Sequence, residues 1–272
     1  MAGRRRAPGP AGRASDGQHL LRSAALAAEL VDRSDIERDD VVVEIGGGTG
    51  RLTAPLAASA GRLLVIERDP RYAALLRDRF ASARHVEIVC GNALDVPLPA
   101  GRFRVFGNLP FAFGTRILRR LLDDPGTGMD RLDALLQFEV ARKRAQLVPG
   151  TVVSIGWLPW WEFALTRRVS RAAFEPVPSV DAGMLSVLRR PRPLLSPDAR
   201  PAFVAFIARA FAAPGTPVGV SARRRLPPAV WKRIAIERGL PFGARPADLG
   251  VEDWVVLFTA TRAREVARRR RP

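Results

Sequence analysis

Val41-Val42-Val43-Glu44-Ile45-Gly46-Gly47-Gly48-Thr49-Gly50 is where the fold first becomes readable. A short, mostly β-branched apolar run without polar alternation suits a strand buried on both faces. Glycines at its end supply positive φ and let the backbone approach a ligand closely. The helix-like stretch Arg51 to Ser59 then offers free N–H groups at its start. Outward from this unit, Leu63 to Ile66, Val86 to Val89, Phe103 to Phe106 and Leu132 to Phe138 repeat the short apolar run. Pro70 to Arg79, with proline at a first helical turn, Thr115 to Leu122 and Glu139 to Leu147 read as helices. Leu20 to Val31 reads as an opening helix, and Val152 to Ile155, Glu162 to Arg168 and Gly183 to Arg189 as late strands. Strands alternating with helices imply an α/β fold with a parallel, doubly wound sheet.

A boundary is expected at Pro191 to Pro197, beyond which Pro201 to Phe211, Ala229 to Arg238 and Val251 to Thr261 read as a small C-terminal helical domain. The expected organisation is a flexible basic arm at 1–17, a main domain at 18–192, the helical domain at 193–263, expected to contact RNA, and a basic tail at 264–272 in which Arg268 to Arg271 are consecutive. Hydrophobic residues are 47 % of the 272-residue chain, enough for a real core, and the formal net charge is +17. A globular protein this basic suits a polyanionic partner, nucleic acid first and an anionic membrane surface second. Arginine supplies all the positive side chains except Lys143 and Lys232, a skew that GC-rich coding alone produces. One cysteine, Cys90, excludes disulfide frameworks and cysteine-rich zinc sites, and its place at a strand end reads as a buried small residue. Two histidines, His19 and His85, argue against histidine-based metal catalysis, and no metal site is expected. No apolar run is long enough for a membrane span, and no apolar core follows the basic N-terminus, so neither a transmembrane helix nor a signal peptide is expected. A cytoplasmic protein is the default expectation.

The glycine turn narrows the ligand. A dinucleotide fingerprint G-x-G-x-x-G counted from Gly46 needs a third glycine where Arg51 stands. The spacing present is E-x-G-x-G-x-G, as in S-adenosylmethionine methyltransferases. Glu67, ending the next strand, is placed to accept hydrogen bonds from ribose hydroxyls. Asn92, after the third strand, is placed to bind an adenine edge, or else to form a turn. Asn108-Leu109-Pro110-Phe111 follows the fourth strand at the carboxyl edge of the sheet, where open α/β folds bind ligands. An exocyclic adenine amine is a poor nucleophile because its lone pair is delocalised into the ring. The Asn108 side-chain oxygen and the Leu109 carbonyl can each accept one N6–H bond, Pro110 stiffens the turn, and Phe111 can stack on the base. Such chemistry is positioning and hydrogen bonding, whereas pyrimidine C5 methylation would need a thiolate. Phe174, opening Phe174-Glu175-Pro176-Val177-Pro178-Ser179-Val180, is expected to clamp the other face of the base, at about 1–3 kcal/mol of stacking.

With these landmarks in order, the chain over roughly residues 16–192 resembles the rRNA adenine N6-methyltransferase family. That family includes the erythromycin-resistance (Erm) methyltransferases and the small-subunit rRNA dimethyladenosine transferases. The resemblance rests on Gln18-His19-Leu20-Leu21, the glycine turn, Glu67, Gly91 to Asp95, Asn108 to Phe111, and Phe174-x-Pro176-x-Pro178-x-Val180. Phe111, Gln137 to Arg144 and Pro159 to Phe163 look most like actinobacterial Erm proteins. It implies a Rossmann-like methyltransferase sheet, and S-adenosyl-L-methionine held by Gln18, His19, Leu21, Gly46, Gly48, Glu67, Asn92 and Asn108. It also implies a monomer that methylates one 23S rRNA adenine before full subunit assembly, conferring macrolide, lincosamide and streptogramin B resistance. Small-subunit 16S dimethylation and an inactive RNA-binding factor are the alternatives. Two stretches depart from the family: His19 and Leu20 replace a usual asparagine and phenylalanine, and Asn92 a usual aspartate.

Overall fold

A computed structural model of the chain describes residues 18–146, 150–221 and 226–269. The expected N-terminal arm and the last three residues of the basic tail lie outside them. At the centre is a seven-stranded sheet in the order β4-β3-β2-β5-β6-β9-β7. Its first half is β2 (Val41–Ile45), β3 (Arg62–Glu67), β4 (Val86–Cys90), β5 (Phe103–Asn108) and β6 (Met129–Gln137), all parallel. The sheet is not parallel throughout as the alternation suggested. β9 (Ala182–Arg189) inserts antiparallel between β6 and β7 (Trp161–Val169), so the sheet is mixed. The hairpin-like return from β7 to β9 has no crossover helix, and without one two consecutive strands pair antiparallel.

Residue chemistry sets the element ends. α3 (Pro70–Arg79) starts where the Asp69 carboxylate accepts from Arg71 N–H at 2.9 Å, with Pro70 in the first turn. α2 (Thr53–Ser59), α4 (Gly114–Leu122) and α5 (Phe138–Arg144) follow their strands as expected. The opening helix is shorter than its pattern. Ser23 caps it, accepting from Leu26 N–H at 3.1 Å, so α1 runs only Ala24–Asp32. The residues before it form β1 (Leu20–Leu21), paired antiparallel with β8 (Phe174–Glu175). Val152 to Ile155 is not a strand but one helical turn, α6, capped by Thr151 and followed by Gly156. A β-branched run is a weak propensity, and local capping overrides it.

Four helices follow: α7 (Arg200–Phe211), the short α8 (Val218–Ser221), which had no sequence signal, α9 (Pro228–Glu237) and α10 (Val251–Arg269). The last continues through residues expected to be tail. These helices do not form a core of their own. Phe203, Ile207, Trp254 and Phe258 belong to the same buried cluster as Trp157 and Trp160, just before β7, and Leu118 of α4. Trp160 meets Phe203 edge-on at 6.2 Å and Phe203 meets Phe258 at 5.4 Å, each such pair worth about 0.5–1.5 kcal/mol beyond burial. Of the buried indoles, Trp157 and Trp160 donate to Asp123 and to the Leu195 carbonyl. A second cluster, under α1 and α2, includes Leu21, Leu30, Leu56, Phe106 and Phe174.

Candidate active site

At the carboxyl edge of β2, Gly46, Gly48 and Gly50 have φ of +82°, +51° and +79°, a region that other L-residues rarely adopt. Space is short as well: a Cβ on Gly48 would lie 2.7 Å from Leu20. The turn is buckled from the neighbouring strand end. Glu67, 1 % exposed, accepts from Gly48 N–H through Oε2 and from Asp69 N–H through Oε1, both at 2.8 Å. Each oxygen retains a second lone pair for a ligand hydroxyl.

A cavity of about 570 Å³ opens beside this turn, within the range of small-ligand sites. Gln18, Gly46, Glu67 and Asn92 line it, as the resemblance implied, together with Ile45, Ile66, Pro110 and Phe113. Asn92 shows the turn-forming role directly while also lining the cavity. It sits in the wall, yet its Oδ1 accepts from Leu94 N–H at 3.1 Å and its Nδ2 donates to Asp95 at 2.8 Å. Phe113, Arg68 and Arg116 had not been anticipated; both guanidiniums lie over the Phe113 ring, at 5.9 and 5.8 Å. An arginine one residue past Glu67 and an aromatic two residues past Phe111 are the only sequence hints of this rim.

A narrower recess continues from the cavity, lined by Gln18, His19, Leu20, Gly46, Gly48, Glu67 and Asn108 to Phe111. Asn108 donates through Nδ2 to the His19 carbonyl at 2.6 Å. A carbonyl can only accept, so the amide nitrogen must face it, and Oδ1 is left as the acceptor. Leu109 is buried, its N–H bonded to the Leu135 carbonyl at 3.1 Å. Pro110's carbonyl receives Phe113 and Gly114 N–H, both at 2.9 Å, tying the loop to the first turn of α4. Phe111 is half-buried, with its ring 5.3 Å from that of His19.

Three expectations are corrected. Phe174 is fully buried (0 % exposed) among the core residues under α1 and cannot clamp a base from there. Its β1–β8 pairing turns the ring inward opposite Leu21. Leu21 itself is 4 % exposed and packs in that core rather than along the large cavity. Cys90 is exposed, because β4 is the sheet's edge strand.

Glu44, the acid that opens the glycine motif, is fully buried without a well-formed hydrogen bond. Burial pushes its carboxyl up to about 8; the nearby Thr53 hydroxyl softens the rise and the Glu67 charge adds to it. A void of about 20 Å³ adjoins it, shared with Leu21, Gly46 and Asn108. Among the described residues, no group of three or more His, Cys, Asp or Glu is placed to hold a metal ion, and no helix is long and apolar enough to cross a membrane.

The chain is similar to known proteins. A methyltransferase of Corynebacterium diphtheriae, named as an rRNA adenine N-6-methyltransferase, is 36 % identical over 214 residues, 79 % of this chain and 83 % of that protein. The mycinamicin-resistance protein MyrB of Micromonospora griseorubida is 32 % identical over 254 residues, 92 % of this chain and 79 % of its own. The crystal structure of the 23S rRNA methyltransferase ErmE superposes with a TM-score of 0.79 at 27 % identity, covering 89 % of this chain and 99 % of that one. The model of the ribosomal RNA adenine dimethylase family matches residues 10–258. With the glycine turn, the buried Glu67 and the Asn108 loop all at one sheet edge, the chain belongs to the ribosomal RNA adenine dimethylase family.

Proposed function

We propose that this enzyme transfers a methyl group from S-adenosylmethionine to N6 of one adenine in 23S rRNA. It acts as a cytoplasmic monomer on RNA before the subunit is fully assembled, and the modified ribosome resists macrolide, lincosamide and streptogramin B drugs. The observation that carries the reading is the fixed Asn108 amide, whose one free acceptor stands in the recess that joins the cavity. The names of MyrB and ErmE support the 23S target and the resistance phenotype.

The cavity suits the methyl donor: buckled glycines leave room for its amino-acid end, and Glu67 keeps free lone pairs for ribose hydroxyls. Ile45, Ile66 and Pro110 supply apolar wall, and Gln18, His19 and Asn92 add polar contacts. Leu21 supports this wall from the core behind it. When bound, S-adenosylmethionine supplies a methyl group activated on a sulfonium. Asn108 Oδ1 and the Leu109 carbonyl accept the two N6–H groups and aim the nitrogen, drawing its lone pair out of conjugation. Phe111 stacks on the base, which offsets part of the few kcal/mol that extruding it costs. The work is orientation in a dry recess, with no covalent intermediate on the protein.

Expression in a macrolide-sensitive bacterium, followed by primer extension along both rRNAs, tests the reading. A drug-resistant strain with a single new stop in 23S rRNA is expected. A stop in 16S rRNA with unchanged drug sensitivity would move the enzyme to the small subunit.

A further inference from the structure

Methylating an amine leaves its nitrogen with one proton too many. The N6 lone pair becomes the new N–C bond, while the methyl group's old bond breaks with both electrons going to its leaving sulfur. Neutral N6-methyladenine forms when one N6–H bond breaks as the N–C bond is made, its electron pair staying on nitrogen. The oxygens of Asn108 and Leu109 orient the amine, but an amide oxygen is too weak a base to keep a proton. Both carboxylate oxygens of Glu67 are already engaged by backbone N–H groups, those of Gly48 and Asp69, in holding the glycine turn.

His19 is the other titratable residue lining the recess with Asn108, Leu109, Pro110 and Phe111. Its Nδ1 lies 2.7 Å from the Pro176 carbonyl. Since a carbonyl only accepts, Nδ1 carries the hydrogen, and the lone pair of the neutral ring sits on Nε2. The ring lies 5.3 Å from Phe111 at 48°, too close to admit a base between the two, so His19 is not a second stacking wall. The backbone carbonyl of His19 holds Asn108 Nδ2 at 2.6 Å, so the segment that carries this imidazole also fixes the Asn108 amide.

We infer that Nε2 of His19 accepts the proton that N6 gives up on methylation. This rests on the function proposed above. The N6–H bond breaks, an Nε2–H bond forms, and the imidazolium releases its proton to solvent. The charged groups around it are Glu67 of β3, on the same recess, and the Arg22–Glu175 pair at 3.6 Å across the β1–β8 ladder; Asn108 to Phe111 bring none.

Single-turnover methylation of naked 23S rRNA, at saturating S-adenosylmethionine, tests it across the range of about pH 5 to 8 where imidazole titrates. The wild-type rate should rise with pH and level off. In His19→Gln, whose amide N–H can still serve the Pro176 carbonyl, the rise should disappear and the plateau fall about tenfold to a hundredfold, near the lower end for a positioned base. Free imidazole should restore part of the rate to His19→Ala. Filter-binding affinity for the RNA should not change in His19→Gln, and because the rate is read at saturating S-adenosylmethionine, loss of a cofactor contact does not account for a lower plateau. A His19→Gln profile that overlays the wild type overturns the inference. So does lost S-adenosylhomocysteine affinity with an unchanged saturated rate, which would make His19 a cofactor ligand only. A wild-type chain that methylates no 23S rRNA would bring down the function itself, a result distinct from an active wild type that His19→Gln matches.

Discussion

Asn108 has one amide end committed and one free, and the consequences of removing it follow from that split. Asn108→Ala should abolish methyl transfer while RNA binding, measured by filter retention, survives; normal turnover would refute the assigned role. Phe111→Ala should lower the methylation rate more than cofactor affinity, because its ring lines the recess and not the large cavity. Glu44 makes a prediction about stability instead. Its folded carboxyl is raised from 4.5 to about 8, so the native state keeps a proton that the unfolded chain loses. Stability therefore declines as pH rises from 4.5 to 8, with the carboxyl's full cost reached above that window. Glu44→Gln cannot ionise and should lose on the order of 4 kcal/mol less than wild type across the same window, at 1.36 kcal/mol per unit. Urea melts of both proteins at several pH values measure the difference. Asp133, also raised, mainly by burial, contributes the same slope to both chains and cancels. Parallel slopes would show that Glu44 is ionised throughout.

The β1–β8 ladder shows where element-level reading succeeds and where it stops. Phe174 anchors that ladder from inside the core, so Phe174→Ala should destabilise by about 3–5 kcal/mol, the usual cost of emptying a buried aromatic site. A base clamp would instead lose activity at unchanged stability, and thermal melts beside activity assays separate the two. The five parallel strands and their helices were legible because each buried run is short, apolar and ended by a turn residue, as Val41 to Ile45 is. Glu67, Asn92 and Asn108 were legible because strand ends on one edge of such a sheet must converge. Phe174 was not, since an aromatic beside prolines reads alike whether it faces solvent or core; only pairing with Leu20 and Leu21 decides it. β9 between β6 and β7 was hidden for the same reason: strand order is a property of distant contacts. The hold of Glu67 on the glycine turn was equally invisible, since its partner is a backbone N–H that carries no residue identity. Gly48→Ala meets both a positive φ and the Leu20 side chain, and should weaken S-adenosylhomocysteine binding in calorimetry without unfolding the chain.

At the scale of the molecule, the net charge of +17 predicts that RNA affinity falls steeply with salt, through counterion release from arginine–phosphate contacts. A flat response across a salt titration would place the RNA on an uncharged surface. The aromatic cluster linking Trp157 and Trp160 to Phe203, Trp254 and Phe258 has a different consequence. Cutting the chain after residue 192 would strip the sheet's flank of its cover and leave indoles facing water. The catalytic half and the helical half should therefore melt in one transition, and a clone of the first alone should precipitate. Change in the helical half is constrained accordingly: its inner face is committed to a core shared with the sheet's flank, so variation is tolerated chiefly on the outer face.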